Sequence, residues 1–290
     1  MGARMLDGTA MSTPATVTPD DLTITSRPLD VDRSAVNARW WHGGDPIGTA
    51  YFNALSATFP QGETFFIESV RRFRDQAGAT LQAQIATFVQ QEAMHTREHL
   101  AFNRLIKNAG YDMTSMDAHT RHRIEIARSR HPLAQLATTV ALEHFTAIMA
   151  HALLIDPNPL PGAPRDIVKL WLWHAIEEIE HKGVAYDTYL VATRNLQGWR
   201  RWAIRCHVML IASCQFWRSI CRHMADFFRQ DKMNTPRTWL RVLHYLWIKP
   251  GMLRKTVRPY FSFYRPRFHP WLHDDRALIA RVEKTLNAPA

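Results

Sequence analysis

Two short patterns in this 290-residue chain, Glu92-x-x-His95 and Glu178-x-x-His181, each set a carboxylate and an imidazole three residues apart. On a helix that spacing puts both side chains on one face. Walked in steps of three and four, the first segment reads Ile85, Phe88, Glu92, His95, His99, Phe102, Ile106. The second reads Ile167, Leu170, His174, Glu177, His181, Val184, Thr188, with Glu178 beside the seam. Two other apolar seams carry one carboxylate each. Glu143 interrupts Leu133, Leu136, Val140, Ala147, Ala150 and Leu154, and Glu63 shares a face with Phe66, Ile67 and Val70. An ionised carboxylate on a core-facing stripe costs several kcal/mol unless a cation or partner meets it. Four helices with one misplaced Glu each, two of them adding His, match the way a four-helix bundle holds two metal ions. The expected ligands are therefore Glu63, Glu92, His95, Glu143, Glu178 and His181. Mixed carboxylate and imidazole donors suit Fe, Mn or Zn, and Fe is the expected metal.

Further candidates surround this set. His99 follows His95 by four residues and His174 precedes Glu178 by four, so each can face the metals or orient a ligand. Helical projection does not separate Glu177 from Glu178. His144 and Glu98 lie beside their seams, Glu180 is expected to face away, and Asp187 can reach a ligand imidazole or solvent. Glu68, over Arg71, Arg72 and Asp75, belongs to a solvated face.

The elements that must position these residues are helical. Apolar periodicity predicts helices at 46–58, 61–76, 79–109, 115–129, 132–155, 164–195, 199–230, 236–248 and 273–286, with breaks at Pro60, Gly110, 156–164, Gly198 and Pro236. No alternating run reads as a strand. The expected organisation is a tail or packed-on arm at 1–40, a bundle at 41–195 and a basic, aromatic extension at 196–290. The net charge of +10 is divided unevenly, with −4 on residues 1–193 and +14 on 194–290. No window of 18 uncharged apolar residues predicts a membrane span, and the first 21 residues lack the apolar core of a secretory signal. Three cysteines, Cys206, Cys214 and Cys221, read as core thiols of a cytoplasmic protein.

The segments FPQGETFFIESVRRFRD (59–75), FVQQEAMHTREHLAFN (88–103), TVALEHFTAIMA (139–150), WHAIEEIEHKGVAYD (173–187) and RPRFHPW (265–271) resemble a bacterial family called predicted metal-dependent hydrolases. That family is assigned to the ferritin-like superfamily. The resemblance implies an all-α, ferritin-like four-helix bundle with a dinuclear site and a helical C-terminal extension, and it supports the same six ligands.

The main functional expectation is a di-iron enzyme that activates dioxygen to oxidise an apolar or aromatic small molecule, drawing on an electron donor. Helical Glu and Glu-x-x-His sites lean that way, whereas hydrolytic metal pairs more often use Asp from loops. The alternative is a metal-dependent hydrolase; metal storage and a membrane-surface role stand behind it. Residues 199–230 include a 12-residue uncharged run, Cys206 to Trp217, too short to span a bilayer. This segment reads either as a fifth core helix or as an amphipathic surface helix placing Trp199, Arg200, Arg201 and Trp202 at the inner face of a membrane. Nucleic acid is not an expected partner, since no recognition motif accompanies the basic residues.

Overall fold

A computed structural model of the chain describes residues 18–19, 22–32 and 38–287. Nine α-helices run in the order α1 (Pro46–Arg71), α2 (Ala79–Asn108), α3 (Thr114–Arg128), α4 (Pro132–Leu154), α5 (Arg165–Ala192), α6 (Gly198–Gln230), α7 (Pro236–Trp247), α8 (Met252–Ser262) and α9 (Arg276–Asn287), and no strand occurs among the described residues. The helix starts follow local chemistry. Asp45 caps α1 by accepting from the Ile47 and Gly48 amides, and Thr235 caps α7 by accepting from Thr238. Pro occupies the first turn of α1, α4 and α7, where its missing N–H costs nothing.

Helices α1, α2, α4 and α5 enclose the core. The pairs α4–α5 and α1–α2 have the most extensive contacts, and α2–α5 and α1–α4 close the ring. Helix α4 is long and apolar enough to cross a membrane, but 83% of its most apolar window is buried inside the protein. It is the central core helix, and its apolarity reflects that burial.

Two expected boundaries differ from the structure. The predicted break at Pro60 does not occur, because α1 runs unbroken to Arg71. Pro60 cannot donate to the Ser56 carbonyl one turn back, and the Asn103 side-chain amide of α2 donates to that carbonyl instead, at 3.1 Å. Helix α8 lies in the stretch 249–272, to which the apolar periodicity assigns no helix. Gly251 stands in the left-handed region at φ 71°, just before the helix, and Pro259 lies within it.

Helix α6 packs one face, including Met209, Ile220, Met224, Phe227 and Phe228, against the core, with α4 and α1 as its main neighbours. Its Leu210 and Ile211 face outward, so the helix is packed and exposed at once. Of the three cysteines only Cys206 is buried; Cys214 and Cys221 are exposed, contrary to expectation. Their positions on the outward side of an amphipathic helix account for this.

Candidate metal centre

The middle of each core helix brings one carboxylate inward. Glu63 of α1, Glu92 of α2, Glu143 of α4 and Glu178 of α5 are all buried, with His95 and His181 completely enclosed beside them. Donor atoms of Glu92, His95, Glu178 and His181 lie within 4.8 Å of one another, and a second group, Glu63, His95 and His174, meets the same limit. The groups share His95, so they form two adjoining subsites. Glu143 joins from the side of His181, with Oε2 at 3.9 Å from Nδ1.

The hydrogen bonds of the two histidines fix which nitrogen faces the cluster. His95 Nε2–H donates to Glu177 at 3.0 Å. His181 Nε2–H donates to the Gln91 carbonyl oxygen at 3.1 Å. Gln91 is oriented in turn, its amide donating to Glu180 and to the Thr25 carbonyl. Both imidazoles are thus left with Nδ1 lone pairs aimed inward. His181 Nδ1 stands 3.0 Å from Glu92 Oε1, where a lone pair meets a carboxylate oxygen.

The buried polar atoms without a hydrogen-bond partner test whether a cation fits. They include Glu63 Oε1, both oxygens of Glu92, His95 Nδ1, both oxygens of Glu143, Glu178 Oε2 and His181 Nδ1. Every one of the six expected ligands contributes at least one such atom, and these atoms converge. Buried polar groups are nearly always satisfied, and this arrangement of hard oxygens and imidazole nitrogens fits two metal ions. Electrostatics agree. Burial raises the carboxyls of Glu63, Glu92 and Glu143 well above the ordinary range, and neighbouring carboxylates add to the shift. For Glu178 burial acts the same way but is overcome by His174 and His95, which hold it below that range. Burial and His95 push His174 down to about 4. Burial also takes His181 to about 4, against the pull of Glu178.

The remaining candidates take other places. Glu177 lies behind His95, accepting its Nε2–H and the Arg27 backbone amide at 2.9 Å. Glu180, expected to face away, is buried and pairs with Arg27 at 2.7 Å. His99 bonds His174 Nδ1 through Nε2 at 2.6 Å and Ser56 through Nδ1 at 2.9 Å, so neither nitrogen is open to the cluster. His144 turns toward the C-terminal segment, its Nε2 donating to the Pro259 carbonyl at 3.2 Å. Asp187 accepts from Thr18 and from His269 of the RPRFHPW segment. Among the residues expected at a membrane surface, Trp199 is exposed with the Arg200 guanidinium over its ring. Trp202 is tied back by donating to the Tyr264 carbonyl, and the Arg201 carbonyl accepts from Tyr189.

Sequence reasoning missed Gln91 and Arg27. Gln91 stands one position before Glu92, a signal that could have been read as a polar residue at a second core-facing position. Arg27 lies in a stretch without periodicity, so no pattern marked it.

A family profile described as "Predicted metal-dependent hydrolase" matches residues 25–274. No curated protein and no solved structure matches the chain.

Proposed function

The chain belongs to the family of predicted metal-dependent hydrolases, and we propose that its buried Glu/His cluster binds two divalent metal ions and cleaves its substrate with water. The family description corrects the expectation of dioxygen activation. Carboxylate and imidazole donors serve Zn and Mn as well as Fe, and a helical scaffold does not choose the reaction; the oxidative reading had let the scaffold decide.

The observation that carries the proposal is the convergence of unpartnered donor atoms from Glu63, Glu92, His95, Glu143, Glu178 and His181. The closed ring of α1, α2, α4 and α5 around them supports a ferritin-like four-helix bundle. When bound, a metal pair acidifies water at neutral pH and polarises the bond to be cleaved. Within the chain, Glu177 and Gln91 hold the two imidazoles with Nδ1 inward. His174 is placed to move a proton. Its Nε2 lies 2.8 Å from Glu178 and its Nδ1 is backed by His99. Phe59 packs against both of these imidazoles, and Trp173 packs against His95, so aromatic rings border the cluster.

Metal counting on the purified chain, together with hydrolysis assays on ester, amide and phosphoester panels, tests the reading. The expected result is about two metals per chain and an activity that chelation removes and Zn(II) or Mn(II) restores. Metal-free protein that takes up neither ion, or loaded protein that cleaves none of the panel, would overturn it.

A further inference from the structure

A pocket among the described residues reaches the centre. It holds about 390 Å³, counting the solvent at its mouth, and its walls come from α1, α4, α5 and Met252 of α8. Two other cavities, one beside Phe102 and Leu170 and one beside Trp41 and Tyr111, include none of the six proposed ligands.

The order of residues along the helices gives the pocket a direction. On α5 its lining runs from Glu178, in the cluster, through His174 one turn away to Trp171. On α4 it begins at Thr146, three residues beyond Glu143, and continues through Ala150 to Leu153; on α1 it runs from Phe59, one turn before Glu63, back to Phe52. The two directions agree, so the pocket leaves the carboxylates and follows the helices outward. From Glu178 to Trp171 that is about 10 Å at 1.5 Å per residue.

The lining is chemically one-sided. Beyond His174, Glu178, Thr146 and the unpartnered Nε1 of Trp171 it consists of apolar groups, and no Lys or Arg borders it. A phosphate group would find no cation there apart from the metals, and a polar tail would lose its water without replacement. An apolar group of modest length suits it, since pockets of this kind fix orientation with a few polar groups at one end.

We infer that this pocket is the acyl-binding subsite for a carboxylic ester carrying an apolar chain of roughly six carbons or a phenyl ring. The inference rests on the hydrolytic reading above. The acyl tail lies along Leu55, Met149 and Ala150, beside the rings of Phe52 and Trp171, which touch at 4.8 Å between centroids, and the ester carbon rests beside Glu178 and His174. In the reaction the water oxygen bonds to the acyl carbon and the bond from that carbon to the alcohol oxygen breaks. One water proton ends on the alcohol, and the other is released as the acid ionises.

The test uses straight-chain hydroxamates from two to eight carbons and benzohydroxamate. Their binding to the Zn(II)-loaded full-length chain is measured by calorimetry and by Trp fluorescence, alongside cleavage of the matching p-nitrophenyl esters. Affinity should rise about fourfold per methylene up to roughly six carbons. Ala150→Phe, which fills the pocket midway, should weaken the six-carbon and phenyl ligands by about tenfold or more while leaving acetohydroxamate unchanged. Leu153→Ala, which lengthens the pocket, should shift the preferred chain upward, and it serves should the larger side chain prevent folding. Equal affinities along the series, or no binding of any tail, overturn the subsite whatever the activity. Tail-dependent binding without cleavage of any ester leaves an apolar subsite standing but overturns its assignment to a carboxylic ester; the hydrolytic reading itself falls only if the amide and phosphoester panels are also left uncleaved.

Discussion

Glu143 is surrounded by core residues of α4, has no hydrogen-bond partner for either oxygen, and is pushed by burial toward its protonated form. A carboxylate in that setting is justified by what it binds. Glu143→Ala should therefore lower metal content from two toward one per chain or below, measured by elemental analysis, while metal-free stability does not fall in proportion, because a buried carboxyl is relieved. Glu68→Ala is the contrasting case: Glu68 pairs with Arg128 at 2.8 Å on the surface, and its loss should leave metal content unchanged and cost at most about 1 kcal/mol. The buried carboxyls also set a pH dependence. In metal-free protein Glu63, Glu92 and Glu143 have raised affinities for protons, as does His95, where the penalty of burial is outweighed by its bond to Glu177 and by the nearness of Glu178 and Glu92. The folded state then holds more protons than the unfolded chain, so stability should fall as pH rises from about 6.5 to 8. Below that window the buried histidines act in the opposite sense. Burial lowers His99, His174 and His181, so the unfolded chain binds more protons and stability falls with acidification. Metal ions hold the carboxylates and His95 deprotonated and should abolish the alkaline loss. Urea midpoints at pH 6.5, 7.2 and 8, with and without Zn(II), check this; a metal-free midpoint that rises with pH would contradict it.

Among the elements, α1 shows how a helix survives a proline. The Ser56 carbonyl left free by Pro60 accepts from Asn103, whose oxygen accepts in turn from the Ser56 hydroxyl at 2.8 Å. This exchange links α1 to α2 beside His99, whose Nδ1 also bonds the Ser56 hydroxyl, one turn along α2 from the proposed ligand His95. Asn103→Leu should cost about 1–3 kcal/mol by leaving a buried carbonyl without a donor. In a Pro60→Ala background the restored backbone N–H should recover part of that loss. A double-mutant cycle by chemical denaturation gives the coupling, and zero coupling would mean that Asn103 does not compensate for the proline. The close approach of the RPRFHPW segment to α5 is a second such device: a Cβ on Gly183 would lie 2.5 Å from Trp271 Nε1, so only glycine admits that indole beside the helix bearing His181.

Across the whole molecule, residues far apart in sequence seal the centre from one side. The arm residue Arg27 reaches Glu180 of α5 at 2.7 Å and Glu283 of α9 at 2.5 Å, while its backbone amide and carbonyl bond Glu177 and Trp173. Burial opposes the charge on its guanidinium, but Glu180 and Glu283 hold it firmly protonated. Arg27→Ala should leave these carboxylates uncompensated and destabilise the fold by on the order of 3 kcal/mol. It should also weaken metal binding by removing the guanidinium that stands 3.8 Å from Glu177, the partner of His95, although the backbone amide stays; a competition titration with a chromophoric chelator measures this. Wild-type metal affinity in the variant would show that the arm closes the fold without tuning the site.

The helices around the centre, their inward carboxylates and the two Glu-x-x-His pairs were legible along the chain because helical periodicity is local: a residue's face follows from its neighbours three and four positions away. For the same reason the cluster of six candidate ligands could be assembled before any contact was known. The distinction between Glu177 and Glu178 was not legible, since adjacent residues differ by about 100° around the helix and only the position of His95 on another helix separates them. Nor were the continuation of α1 through Pro60, the inward turn of Glu180 toward Arg27, or the outward turn of His144 toward Pro259. Each depends on a partner between 47 and 153 residues away. Local pattern determines which side of a helix is apolar; the packing of other helices against it decides what each polar residue on that side meets.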